Sequence, residues 1–385
     1  MKELPTRWSF ARFRRITTSA HVYMAEVDGL RFIAIFSVLI FHVYFAATTV
    51  SGIRFAPSPF DFLFLPVSNG HRGVELFFVL SGFILGLPFA LYHLGQSPAV
   101  NIGRFYLRRL TRLEPPYVVA LLLFYAAALI MNNDDAQEPG FFSGLLLRLG
   151  YIHNVTQGVR ASLNGVTWTL EIEVQFYLLM PMLAQVFRVE KNLRRTLLVV
   201  CICGAPWLAR ILPGSQMTLL GYAEFFLTGL LLSDLHSTHT GVRWMPPRVV
   251  DSLGIGCLGV AMFAPNTPIF LQALPWLLAA IILAAFRGAW LAAVLRQPMI
   301  AVLGGMCYSL YLVHYPLLSF IANKVVGDGT SMLFACLRVG VVGLPCAVGA
   351  GIAFYLLIER PCMNPNWPQA ALRYLDRGIK VLKRQ

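Results

Sequence analysis

Apolar runs long enough to cross a bilayer recur along the whole chain, and no other feature restricts its fold as strongly. A spanning helix needs about 20 residues. Such runs are read at about 30–49, 73–92, 115–131, 166–187, 196–212, 216–235, 249–264, 267–286, 298–321 and 332–358. They define an all-α polytopic membrane protein with about ten transmembrane helices. Composition agrees: 57% of residues are hydrophobic and 13% charged, where a soluble domain carries about 25% charged residues. Mean hydropathy is +0.66. The N-terminus is polar and basic through Arg15 and is not followed by a short apolar stretch with a small-residue cleavage site, so no cleavable signal peptide is expected. The longest connection, about 132–165, reads as a loop. The chain divides into a basic N-terminal segment (1–25), a transmembrane domain (26–362) and a basic tail (363–385).

Lysine and arginine alternate in abundance between successive connections. They gather before the first run (Lys2, Arg7, Arg12, Arg14, Arg15), after the second (Arg104, Arg108, Arg109, Arg112), after the fourth (Arg188, Lys191, Arg194, Arg195) and in the tail. The intervening connections hold few, among them Arg54, Arg72 and Arg148. This bias places both termini in the cytoplasm. The net charge of +13 is therefore chiefly topology signal, with anionic lipid of the cytoplasmic leaflet as a further attraction. No nucleic-acid partner is implied. The tail RYLDRGIKVLKRQ is expected to lie along that leaflet as an amphipathic segment. The seven cysteines sit in or beside the runs, which argues against a disulfide framework. Cys201 and Cys203, two apart on a helix, face different ways and make poor metal ligands.

Ionisable side chains inside such runs mark functional sites by default. Arg31 and His42 are eleven residues apart, hence roughly 20° apart in azimuth and about 16 Å in rise, on one helix face. A charge at mid-bilayer costs about 2.5–3.5 kcal/mol; an uncharged imidazole avoids much of that and makes a competent general base. In WTLEIEVQFYLLMP, Glu171 and Glu173 point about 160° apart. They cannot form a carboxylate pair in one cavity; one is expected to partner His42 or Arg31 and the other to be a structural ion or hydrogen-bond partner. The ninth run, GGMCYSLYLVHYPLL, brings Ser309, Tyr311 and His314, with His314 nearer the outer surface than His42. The two histidines are expected to border one continuous polar cavity. Ser81-Gly82 in the second run reads as a close helix contact, and Glu75 and Glu224 sit near outer ends. In NIGRFYLRRLTRLEPPY, Arg104, Arg108 and Arg112 share a face and Arg109 pairs with Arg112. Four arginines before a Pro-Pro helix start suit a phosphate-rich cytosolic ligand, although topology alone explains any two of them.

Together these segments resemble the acyltransferase-3 family of integral membrane O-acyltransferases. The resemblance rests on DGLR with His42 eleven residues after its arginine, GVELFFVLSGFI, the pair Arg109–Arg112, WTLEIEVQFYLLMP, YSLYLVHYPLL and the ERP of Glu359 to Pro361. They stand in family order across roughly 25–362. Some relatives carry an extracytoplasmic hydrolase-like domain after the last helices, which this sequence does not show. The resemblance implies O-acyl transfer, usually of acetyl from acetyl-coenzyme A, to a hydroxyl of a surface glycan, lipid-linked sugar or glycoside. It implies His42, paired with Arg31, as catalytic and the arginines 104–112 as donor-binding, with acyl-CoA as co-substrate and no bound cofactor or metal. The protein is then expected in the cytoplasmic (inner) membrane. Another class, a proton-coupled transporter relaying through His42, Glu171, Glu173 and Glu224, is weakened by the lack of an internal repeat.

Overall fold

The computed structural model of the protein describes residues 23–51, 64–131, 140–157, 164–238, 245–327, 330–364 and 367. The expectations for the N-terminal basic segment and the amphipathic tail fall almost wholly outside these. Among the described residues the chain is helical throughout: α1 (Ala25–Ser51), α2 (Gly73–His93), α3 (Ile102–Ile130), α4 (Phe141–Leu149), α5 (Trp168–Leu183), α6 (Lys191–Ile211), α7 (Ala223–Thr238), α8 (Pro247–Phe263), α9 (Pro268–Arg287), α10 (Pro298–Gly305), α11 (Cys307–Val325) and α12 (Met332–Phe354), joined by shorter turns. A helix stands at each place where an apolar run was read. Among the described residues six helices are long and apolar enough to span, seven when α10 and α11 are taken as one span bent by 69°. The helices α6, α7 and α8 fall short, α6 because Lys191, Arg194, Arg195 and Arg210 lie within it.

Small residues set the closest helix contacts, as packing within lipid requires. The backbones of α2 and α7 touch at Gly82 and Gly229: a Cβ on Gly229 would run into the carbonyl of Val79, and one on Gly82 into that of Phe226. Gly304 of α10 rests in the same way on the Asp28 carbonyl of α1. The chain turns at Met306, just after Gly304-Gly305, and α11 sets off in a new direction. The core falls into two main clusters. One surrounds α2, α7 and α9. The other lies among α1, α11 and α12 and carries the two histidines' neighbours Val38, Leu310 and Val313.

Two features depart from the sequence reading. First, the arginines 104–112 are not a connection leading to a Pro-Pro helix start. They form the first turns of α3, capped by Asn101 accepting from Arg104 N, and the helix runs on through Pro115 and Pro116. Pro115 cannot donate to the Thr111 carbonyl. The Trp367 indole N–H takes that acceptor instead, at 2.9 Å. Second, several arginines counted as loop charge are held by hydrogen bonds or ion pairs within the fold, Arg72 and Arg194 of them buried. Arg72, 1% exposed, donates to the carbonyls of Ala261 and Ala264 and to Asn266 Oδ1, closing the end of α8. Arg194 and Arg195 both bind Asp234, which is fully buried on α7.

Candidate functional site

His42 lies in the second half of α1 and His314 midway along α11, 272 residues away in sequence. His314 Nε2 is 3.1 Å from His42 Nδ1. Each ring also rests on its own helix: His42 Nδ1 is 2.9 Å from Val38 O, and His314 Nδ1 is 3.0 Å from Leu310 O and 2.8 Å from Tyr311 O. His314 is wholly buried, whereas His42 is half-buried. Around His42 stand the rings of Phe41 and Tyr315, with centroids at 5.0 and 4.9 Å. The helix of His314 is itself pinned. Thr169 and the Val166 carbonyl meet the Tyr311 hydroxyl at 2.7 Å, and Asn164 Nδ2 donates to Leu312 O at 3.0 Å.

Arg31 does not take a glutamate from α5 as its hydrogen-bond partner. It donates to Asp28 Oδ1 at 2.9 Å, three residues back on α1. The two glutamates do point apart. Glu171 is buried and accepts from Asn154 N at 2.8 Å, fixing the segment ahead of α5. Glu173 accepts from Ser81 Oγ at 2.8 Å, so Ser81 serves as a donor at the α2–α5 contact. Neither glutamate bonds His42; its partner is His314.

A cavity of about 460 Å³ opens between α3 and α5. Its walls include five leucines and Val174, and its polar groups are carried by Arg109, Glu114, Glu173, Tyr106, Tyr151, Tyr177 and Tyr308. Neither histidine lines this cavity, although the two rings meet each other directly. Tyr308, on its wall, precedes His314 by six residues, about 9 Å along α11.

The arginines of α3 divide into distinct environments. Arg104 and Arg108 are exposed. Arg109 lies over the Phe105 ring, 3.6 Å from its centroid, and reaches the cavity. Arg112 Nη2 faces Glu359 Oε1 at 3.7 Å. Glu359 is buried at the end of the π-helical turn Tyr355–Glu359 and accepts from Ser309 N at 3.1 Å and Ser309 Oγ at 2.6 Å. It thus caps the start of α11 and ties it to α3. Sequence reasoning passed over Asp28, Glu114, Tyr151, Tyr177 and Tyr308. Asp28 was legible as an acid three residues before Arg31; the others come together only through tertiary packing.

A bundle of this kind, with several helices apolar enough to span and ionisable side chains gathered inside it, has the architecture of a multi-pass membrane protein with an internal polar site. Comparison with known sequences gives the family. The acyltransferase-3 profile, an acyltransferase domain, matches residues 24–359, and the chain belongs to that family. Among similar curated proteins is the peptidoglycan O-acetyltransferase OatA of Listeria monocytogenes, 24% identical over 338 residues, or 80% of this chain and 51% of that protein. The acyltransferase MdmB of Streptomyces mycarofaciens is 25% identical over 378 residues, 89% of this chain and 92% of that protein. The O-acetyltransferase OatA of Staphylococcus aureus is 25% identical over 397 residues, 92% of this chain and 60% of that protein. The chain thus spans just over half the length of the two OatA relatives. No solved structure matches it at a significant level.

Proposed function

We propose that this protein is a membrane O-acetyltransferase that moves an acyl group from acyl-CoA to a hydroxyl of a cell-surface or exported carbohydrate. Membership of the acyltransferase-3 family supports the reaction type, and the names of the OatA relatives support acetyl as the group. The observation that carries the reading is the histidine pair. His42 is half-buried, so its ring can be reached, and it is braced from behind by His314. That is the arrangement a general base needs.

His42 takes the proton of the acceptor hydroxyl as its oxygen attacks the thioester carbonyl. The tetrahedral intermediate collapses with cleavage of the C–S bond, the ester leaves on the acceptor, and coenzyme A takes the proton back from His42. The bundle crosses the inner membrane about ten times with both termini in the cytoplasm, following the distribution of lysine and arginine. Arg104 and Arg108 then meet the donor's phosphates from the cytosol. Arg109 stands where the donor's pantetheine arm enters the cavity beside α5.

The test is coenzyme A release from acetyl-CoA by membranes containing the protein, with mass spectrometry of surface glycans from cells with and without it. His42→Ala should reach the membrane at wild-type level and lose about 10²–10⁴ in rate. Wild-type turnover by that variant at matched expression would remove His42 from the chemistry.

A further inference from the structure

The two imidazoles face each other and three backbone carbonyls, and those carbonyls settle which nitrogens carry hydrogen. A carbonyl oxygen only accepts, so a ring nitrogen held against one must be protonated. His314 Nδ1 sits against two carbonyls, Leu310 O at 3.0 Å and Tyr311 O at 2.8 Å. In the uncharged ring its Nε2 is therefore bare. His42 Nδ1 sits against Val38 O at 2.9 Å and must also carry hydrogen. The contact of 3.1 Å between the rings then has a single direction: His42 Nδ1–H donates to His314 Nε2. The reverse direction would set a lone pair of His42 against the lone pairs of Val38 O, and one of His314 against those of two carbonyls.

From this geometry we infer that His314 is a positioning residue that fixes His42 as its Nδ1–H tautomer, leaving His42 Nε2 as the nitrogen that takes the acceptor's proton. The inference rests on the reading of His42 as base and deepens it. Among the described residues His42 Nε2 has no hydrogen-bond partner, so it is available to a substrate. His314 does for His42 what a carboxylate does for the histidine of a hydrolase triad, with one difference. Its own Nδ1–H ends on backbone carbonyls of α11, so the support is a neutral acceptor held by the helix. A carboxylate in its place would bring a formal charge into the bilayer. When His42 gains the acceptor's proton at Nε2, its Nδ1–H bond to His314 becomes charge-assisted and strengthens, which favours the state in which C–O bond formation is under way.

The inference is tested first in the wild-type protein. In full-length protein labelled with 15N-histidine and held in lipid nanodiscs, 15N NMR separates protonated from bare ring nitrogens, and loss of signals in His42→Asn assigns those of His42. The expected spectrum has His42 Nδ1 protonated and Nε2 bare; Nε2 protonated with Nδ1 bare would overturn the inference. Variants give a second readout in coenzyme A release. His314→Gln can place an amide oxygen where Nε2 stood, whereas His314→Asn reaches only the Nδ1 position. At matched membrane levels, His314→Asn should lose about 10²–10⁴ in kcat with the donor KM within twofold of wild type. His314→Gln should retain at least tenfold more kcat than His314→Asn. Equal loss in the two variants would overturn the inference. The two readings fail separately. An active His42→Ala would sink the base assignment, whereas an inactive His42→Ala beside a fully active His314→Asn would leave the base in place and remove His314 from its support.

Discussion

At the scale of single residues, the four arginines at the start of α3 differ more than their spacing suggests. Arg112 faces a buried carboxylate and Arg109 lies on an aromatic ring, while Arg104 and Arg108 are exposed. Phosphate binding from the cytosol should therefore fall first on the exposed pair. Replacing Arg104 and Arg108 together with Gln should raise the donor KM about tenfold with kcat held, and the wild-type donor KM should rise with ionic strength in the same direction. An unchanged donor KM in the double variant would return both residues to topology signal. The sequence showed these residues, His42 and His314 because a polar side chain stands out in or beside an apolar run. It could not show that His42 meets His314, or that Arg112 meets Glu359. Those contacts cross the whole chain and depend on which helix faces pack.

Among the helices, two contacts stand out, the glycine crossing of α2 and α7 and the capped break between α10 and α11. Gly229 admits no side chain against α2. Gly229→Val should drive α7 off α2, lowering detergent-solubilised thermal stability and the amount of folded protein, whereas Gly256→Val, on α8 where a Cβ meets open space, should leave both near wild type. A fully stable Gly229→Val would mean the two helices do not meet there. The element that sequence reasoning misjudged most was α3. Pro-Pro normally marks a boundary, but here the acceptor freed by Pro115 is met by Trp367, more than 250 residues on. A local rule was overridden by a distant side chain. The bent pair α10–α11 was read as one span because its apolar pattern is unbroken, and the 69° turn follows from Gly304-Gly305 and from Glu359 capping the new direction.

Across the whole molecule, the helical class was legible because bilayer-length apolar runs leave few alternatives, and the acyltransferase-3 resemblance was borne out by the profile match over residues 24–359. Orientation is open to a direct test by cysteine labelling. Asn154 is a poor reporter of the outer side, since it is buried and donates to Trp168 O at 2.8 Å. Gln157 is exposed nearby, as is Arg108 on α3. In a background lacking the native cysteines, Gln157→Cys should react with a membrane-impermeant thiol reagent in intact cells, and Arg108→Cys only after the cells are opened. The opposite pattern would put the arginines outside and exclude cytosolic acyl-CoA as their ligand. The histidine pair also bears on how the protein is made. At synthesis rates of about 5–20 residues per second, α1 waits roughly 15–55 s before the ribosome delivers its partner in α11. Through that interval the Nδ1–H of His42 is covered by the Val38 carbonyl of its own helix, and that of His314 is later covered by Leu310 and Tyr311. Each helix can therefore enter lipid alone with that N–H already satisfied, and the two rings need only find each other.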